Sequence, residues 1–325
     1  MSPKIPVRLP KLIRTAYLFH RLRQCHRCGT YSSLNPSACP GCGGETWQPV
    51  TEIAKVIERK RAQTDVLILG TIVTAAYIAS RSFMEMAAAL LVGVVLLIVH
   101  ALIRRHYAPY LLRRTIRRSL LQNYEKIRQG LLNDIEQAES DLAQDNYPAA
   151  YEKFREISFF LKDNPIRILQ LACLNRFILR SDMDLELDSL IPERFDGEFA
   201  AYLLDICRVK PGLIGRASIE YTVKYRQEFE RLPYGEEILI AAAGAALRVR
   251  AHLPLFRELV LDYAERLPED RLQRLHLLAS ERAAVDRELF SQVEQIWNRR
   301  YGPLPPAAQA EEPDAAYEQT KRAGE

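Results

Sequence analysis

Two apolar runs with only two residues between them constrain this chain more than any other feature. Residues 66–80 (VLILGTIVTAAYIAS) carry no charge, and residues 83–103 (FMEMAAALLVGVVLLIVHALI) carry Glu85 near the start and His100 near the end. A helix needs about twenty apolar residues to cross a bilayer. The second run has them. The first is short and depends on Arg61, Asp65 and Arg81 reaching the interfaces by snorkelling. Only Arg81 and Ser82 separate the runs, and a link of that length forces an antiparallel helical hairpin.

The flanking charge orients the hairpin. Lys55, Arg59, Lys60 and Arg61 precede it, and Arg104, Arg105, Arg113, Arg114, Arg117 and Arg118 follow it. The turn carries Arg81 alone. The positive-inside rule then places both termini in the cytoplasm, with two spans in the cell membrane. Small residues recur four apart at Gly70/Thr74, Ala75/Ala79 and Ala89/Gly93, a spacing that permits close helix contact within the hairpin or between protomers. No polar stripe runs through the spans, so they read as an anchor rather than a channel. Residues 1–24 lack an uninterrupted apolar core and are not a signal peptide. From Pro10 onward, Leu12, Ile13, Ala16 and Tyr17 fall on one face of a helix that either lies on anionic lipid or packs against the segment that follows.

That following segment holds Cys25-His26-Arg27-Cys28 and, ten residues on, Cys39-Pro40-Gly41-Cys42. Two C-x2-C turns supply two edges of the tetrahedron that zinc prefers. Gly29 and Gly43 follow the second cysteine of each pair and allow the positive φ that a tight knuckle needs. Disulfides would require an oxidising compartment, against the cytoplasmic topology. A redox site would need one pair, not two. Cys25, Cys28, Cys39 and Cys42 are therefore expected to hold one structural metal ion in a closed site, with His26 facing solvent. Residues 25–46 resemble a zinc ribbon of the rubredoxin-like kind. That resemblance implies a small β domain over residues 25–50 and a structural Zn²⁺, favoured over iron because the insert between the pairs is short. Cys173 and Cys207, in apolar helical contexts, read as ordinary buried thiols.

After residue 103 the chain has helical period throughout. Residues 51–65 read as a linker helix and 104–132 as a basic juxtamembrane helix that Pro109 kinks or restarts. Its charge suits anionic lipid. Residues 133–301 read as a helical domain and 302–325, rich in Pro, Ala and Glu, as a disordered tail. Within the helical domain, Leu142 to Tyr147 leads into Ala150, Phe154 and Ile157 and ends at Asn164-Pro165. This resembles the second half of a tetratricopeptide repeat, with a weaker echo from Ala251 to Pro268. A plain irregular bundle is the competing description. Residues 182–195 read as an acidic linker or short helix, 210–215 as a loop, and 271–299 as one long closing helix.

The expected fold is thus a mainly α membrane protein with a small zinc-ribbon β domain, a two-helix transmembrane hairpin and an α-helical repeat-like cytoplasmic domain. There is no P-loop, dinucleotide fingerprint, HExxH or GxSxG, and no constellation of acids and bases for catalysis. The chain reads as a non-enzyme. Stacked helical hairpins present surfaces that bind peptides. The leading expectation is therefore a membrane-anchored adaptor or scaffold that binds a protein partner. The alternative is a membrane-tethered nucleic-acid-binding regulator using the ribbon and the basic segments, for which only His26, Arg27, Tyr31 and Trp47 are at hand.

Overall fold

The computed structural model describes residues 4–13 and 15–302. Apart from Gly302, the tail expected to be disordered lies outside the described residues. The chain forms two compact units, Met1–Ile178 and Leu179–Glu325. The boundary falls within the stretch read above as one helical domain.

The first unit begins with β1 (Ile5–Pro6) and a three-stranded antiparallel sheet of β2 (Arg23–Cys25), β3 (Tyr31–Ser32) and β4 (Trp47–Pro49), in the order β3-β2-β4. Gln24 faces Tyr31 on one side and Gln48 on the other. Residues 10–17 do not form the expected helix among the described residues. Prolines at positions 3, 6 and 10 suit an extended chain, and the Arg155 guanidinium holds this one by donating to the Pro10 carbonyl at 3.1 Å.

β4 runs straight into α1 (Val50–Ala79), whose first amide donates to the Leu22 carbonyl at 3.2 Å. The linker helix and first apolar run are thus one helix of 30 residues. α2 (Phe83–Gln122) is another, of 40 residues, and it continues through Pro109. The proline neither ends nor restarts it, although the ring removes one backbone donor. Both helices are long and apolar enough to cross a membrane. Their apolar faces are uncovered: Leu67, Ile78, Phe83 and Met84 are each more than two-thirds exposed. A water-soluble monomer rarely leaves so large an apolar area open. Glu85, the acid of the second run, serves as a cap. Its carboxylate accepts the Arg81 amide at 2.8 Å, while the Ser82 hydroxyl accepts the Glu85 amide at 3.3 Å, a variant of the capping box. Gly93 lies against Val73, so the small residue serves contact within the hairpin.

Then come α3 (Tyr124–Ala143), α4 (Tyr147–Ile157), α5 (Asn164–Leu174) and β5 (Phe177–Ile178). Asp145 takes φ +59° in the turn before α4, where its carboxylate accepts the Tyr147 hydroxyl at 2.8 Å. The predicted packing face is real: Ala150, Phe154 and Ile157 are fully buried. β5 pairs in parallel with β1, which ties the start of the unit to its end.

The second unit is helical: α6 (Gly197–Val209), α7 (Arg216–Lys224), α8 (Arg226–Glu230), α9 (Gly235–Ala246), α10 (Arg257–Asp262), α11 (Glu269–Glu281) and α12 (Arg287–Tyr301). α9 is its hub. Ile238, Leu239, Ala242, Ala243 and Ala246 are buried, and small side chains there let its neighbours come close. The long helix expected over 271–299 is two helices. Asp286 breaks it by capping α12, its carboxylate accepting the Leu289 amide at 2.9 Å. Gly302 closes α12 at φ +82°. Residues 182–195 are no bare linker, because Met183, Leu185, Leu187 and Leu190 are buried.

Candidate metal centre

The two knuckles are built alike. The Gly29 amide donates to the Cys25 carbonyl at 3.0 Å, and the Gly43 amide donates to the Cys39 carbonyl at 2.8 Å. Each closing bond needs the left-handed backbone, and Gly29 and Gly43 supply it at φ +77° and +68°. The turns face each other, and the four thiol sulfurs all lie within 4.8 Å of one another. Cys25 Sγ is 3.7 Å from Cys42 Sγ, and Cys28 Sγ is 3.5 Å from Cys39 Sγ. A tetrahedron with metal–sulfur distances of about 2.3 Å has a sulfur–sulfur edge of about 3.8 Å. The donor set therefore fits a thiophilic ion. All four cysteines are free. His26 is exposed and stands outside the group, as expected.

The Cys28 and Cys42 thiols differ in their electrostatics. Hydrogen bonds from Thr30 bring the Cys28 thiol down to about 6. Cys42 goes the other way, up to about 12: the Gly44 amide favours its thiolate, but the neighbouring sulfurs and burial outweigh that. Crowded sulfurs cannot all ionise unaided. A bound metal ion removes the conflict by holding every thiol deprotonated. Burial alone raises Cys173 to about 12, and burial with the nearby Glu237 carboxylate raises Cys207 to about 12. Both are inert thiols at neutral pH.

Sequence reasoning missed what the knuckles are attached to. β3 lies between the two cysteine pairs and packs on α3. A Cβ on Gly130 would stand 2.0 Å from the Tyr31 carbonyl oxygen, so only glycine allows this approach. One turn further on, the buried Asp134 carboxylate accepts the Ser32 hydroxyl at 2.7 Å, the Ser33 amide at 2.7 Å and the Ser33 hydroxyl at 2.9 Å. Burial raises its pKa, and the serine donors oppose the rise. The signal was available. Gly130, Leu131, Asp134 and Ala138 share the apolar face of α3, and an acid on such a face requires a partner.

Tyr31 also enters a core with Leu22, Val50, Ala54 and Ile116, so the sheet, the foot of α1 and the lower half of α2 share one apolar cluster. Beside it, the buried Arg21 side chain pairs with Glu156 at 2.5 Å, donates to the Ile13 carbonyl and lies 3.7 Å over the Phe159 ring. Between the knuckle loop and α3–α4 opens a cleft of about 740 Å³, lined by Arg23, Leu34, Pro36, Gln137, Glu152 and Lys153 among others. Its walls carry both charge signs and some apolar surface.

Comparison with protein-family models, curated proteins and solved structures finds no match for this chain.

Proposed function

We propose that this chain is a two-span membrane scaffold with both termini in the cytoplasm, a structural zinc ion on Cys25, Cys28, Cys39 and Cys42, and no catalytic activity. The observation that carries this reading is the shared core around Tyr31 and Ile116. A metal knuckle that merely dangled from an anchor would need no such contact. Here a knuckle, the foot of an apolar hairpin and a helical pair are packed as one body. A partner held in the cleft between knuckle and helices is thereby held at a fixed height beside the membrane. The cleft suits an extended polypeptide segment carrying charge of both signs and an apolar side chain for Leu34 and Pro36.

The second unit fits the same job. Its cross-helix bonds join residues 29 to 36 apart: Arg208 to Glu237, Arg250 to Glu281, Arg257 to Glu288 and Arg226 to Asp262. Contacts between a helix and the one about thirty residues earlier are what stacked helical pairs would make, which supports the repeat-like reading.

Three experiments test the reading. Metal analysis of the purified full chain is expected to find one zinc per chain, and none would end the metal assignment. Reporter fusions at both termini are expected to show the cytoplasmic state, and an exported signal at either would overturn the topology. A photo-crosslinker placed at Gln137, in the cleft wall, is expected to trap one dominant polypeptide in intact membranes. The same probe at the exposed Glu125 is not; equal patterns would remove the cleft from the account.

A further inference from the structure

At the foot of the hairpin, α1 and α2 form a second, smaller hollow that the scaffold reading does not use. It has a volume of about 200 Å³ and is lined by Glu58, Arg61, Asp65, Arg104, Arg114 and Arg118, with Leu111 and Thr115 behind them. Glu58 and Asp65 are seven residues apart on α1. Arg104, Leu111 and Arg118 repeat at seven on α2, so both stripes face one another. We propose that this hollow is a binding site for the phosphate headgroup of an anionic phospholipid.

The internal charge balance is uneven. Arg104 satisfies both acids, bonding Asp65 at 2.6 Å and Glu58 at 3.1 Å. Its third contact is the Glu58 carbonyl at 3.0 Å. Glu58 also accepts the Thr115 hydroxyl. Both carboxylates are thus engaged by one arginine. Arg61 reaches Glu58 only at 4.0 Å. Arg114 and Arg118 have no acidic partner among the described residues. Four guanidinium groups against two carboxylates leave the hollow with an excess of two positive charges. The Glu58–Arg104–Asp65 bridge fixes the two helices, and therefore the spacing of the unsatisfied arginines. Arginine forks match the oxygens of a phosphate and bind it in pairs.

The position selects a lipid over a soluble phosphate. Asp65 directly precedes the first apolar run, and Arg104 directly follows the second. The hollow thus begins where hydrocarbon would end and extends along the cytoplasmic face. Tyr107 and Tyr110 lie exposed on the same stretch of α2, in the place that aromatic side chains occupy at membrane interfaces. A phosphodiester at the bilayer edge meets Arg61 first, five residues before the first apolar run, while Arg114 lies about 15 Å further along α2 than Arg104. The proposal rests on the membrane reading above and adds a defined site to it, distinct from diffuse attraction by a basic helix.

The test compares two double variants of the intact protein in nanodiscs of phosphatidylcholine with a small fraction of phosphatidylglycerol. Arg114→Gln with Arg118→Gln removes the hollow's unpaired cations. Arg105→Gln with Arg117→Gln removes the same charge from positions of the same helix that do not line the hollow. Retention of phosphatidylglycerol through delipidation is read by native mass spectrometry. The expected result is a loss on the order of tenfold or more for the first variant and little change for the second. Equal loss from both overturns the site and leaves only diffuse attraction. A lysine version of the first pair, which keeps charge but not the fork, is expected to lose part of the retention. It replaces the glutamine version if that one does not fold, and full retention by it would also overturn the site. Glycerol 3-phosphate is the third arm. If it fills the hollow in detergent and phosphatidylglycerol does not displace it, the ligand is a soluble phosphate and the lipid assignment fails. Should the wild-type chain not enter nanodiscs at all, the membrane reading itself falls, an outcome separate from the others.

Discussion

The two units are held together over very different distances along the chain. In the first, Ser32 meets Asp134, Arg21 meets Glu156 and Arg155 meets Pro10, partners 102, 135 and 145 positions apart. In the second, the cross-helix bonds named above span 29 to 36 residues. Long closures cost entropy before any contact forms. The first unit must therefore assemble as a whole around a few strong points, of which the four-cysteine knuckle is one. A chain of near-neighbour contacts can form or fray piecewise. The difference predicts where damage spreads and where it stays local.

The largest effect is expected from the metal ligands. Structural zinc contributes about 10–16 kcal/mol in small zinc-binding peptides. Cys39→Ser, or a strong chelator, should unfold β2–β4 and take with it the Asp134 and Gly130 contacts. Hydrogen exchange on the full chain should then show lost protection at Tyr31–Ser32 and along α3, with α9 unchanged. Protection that survives at α3 would mean that the knuckle is a passenger on the first unit.

The glycine pair comes next. Gly130 and Gly235 both sit where a Cβ would collide with a backbone carbonyl, at 2.0 Å from Tyr31 and 1.7 Å from Phe229. Alanine at either is expected to cost about 3 kcal/mol, the upper end of overpacking penalties, less up to about 1 kcal/mol of helix propensity gained. The costs should be similar and the consequences different. Gly130→Ala separates elements almost a hundred residues apart and should weaken zinc retention. Gly235→Ala disturbs a turn within six residues and should leave zinc retention alone. If both variants release zinc equally, the contrast between the units is wrong.

Asp134 is expected to contribute less and to add a pH dependence. Asp134→Ala leaves the buried Ser33 amide without an acceptor, at a cost of about 1–3 kcal/mol. Because burial raises the carboxyl's pKa from 3.8, the folded protein holds that proton more tightly than the unfolded chain. The associated stability is complete below 3.8 and is lost as pH rises through the raised value. Asp134→Asn cannot titrate, yet it keeps an acceptor for Ser33. Urea melts at pH values on both sides of the raised pKa should show wild type losing stability relative to Asp134→Asn as pH rises. A difference that does not change with pH would remove Asp134 from the account.

Much of this architecture is legible from single residues. The C-x2-C pairs placed four sulfurs together, and the Ala150/Phe154/Ile157 spacing located a buried face. The apolar runs gave two helices of spanning length. What the sequence hid were the joints. Nothing in Tyr31-Ser32-Ser33 names Gly130 or Asp134 as its partner, because contacts across a hundred residues leave no local pattern. The break at Asp286 was hidden for another reason. Ala283, Ala284 and Val285 continue an apolar helical rhythm, and one capping carboxylate overrode it. The helix assigned near the N-terminus failed because amphipathic spacing cannot show that neighbouring prolines and an arginine already hold the chain extended.

The smallest effect should come from the second unit's ion pairs, and it tests whether a denser count of charges means a stronger unit. Arg226 joins Glu230 at 2.7 Å and Asp262 at 2.5 Å, linking α8 to α10. Its side chain is 34% exposed, and those of its partners are 45% and 47% exposed. Solvent screens such a bridge, so Arg226→Ala should cost about 0.5 kcal/mol, falling further as salt is added. Among the described residues Arg21 in the first unit pairs with Glu156, the two side chains being 6% and 33% exposed, and it packs on Phe159. Removing it takes the donor from the Ile13 carbonyl and the guanidinium from the Phe159 ring, which should cost about 3 kcal/mol and resist salt more than the surface bridge does. Melts of the two variants at low and high salt decide the matter. Equal costs would mean that the first unit is no more dependent on its buried joints than the second is on its surface bridges. The expected sixfold gap would place the stability of the first unit in a few desolvated contacts, with the surface pairs of the other setting register between helices more than holding them together.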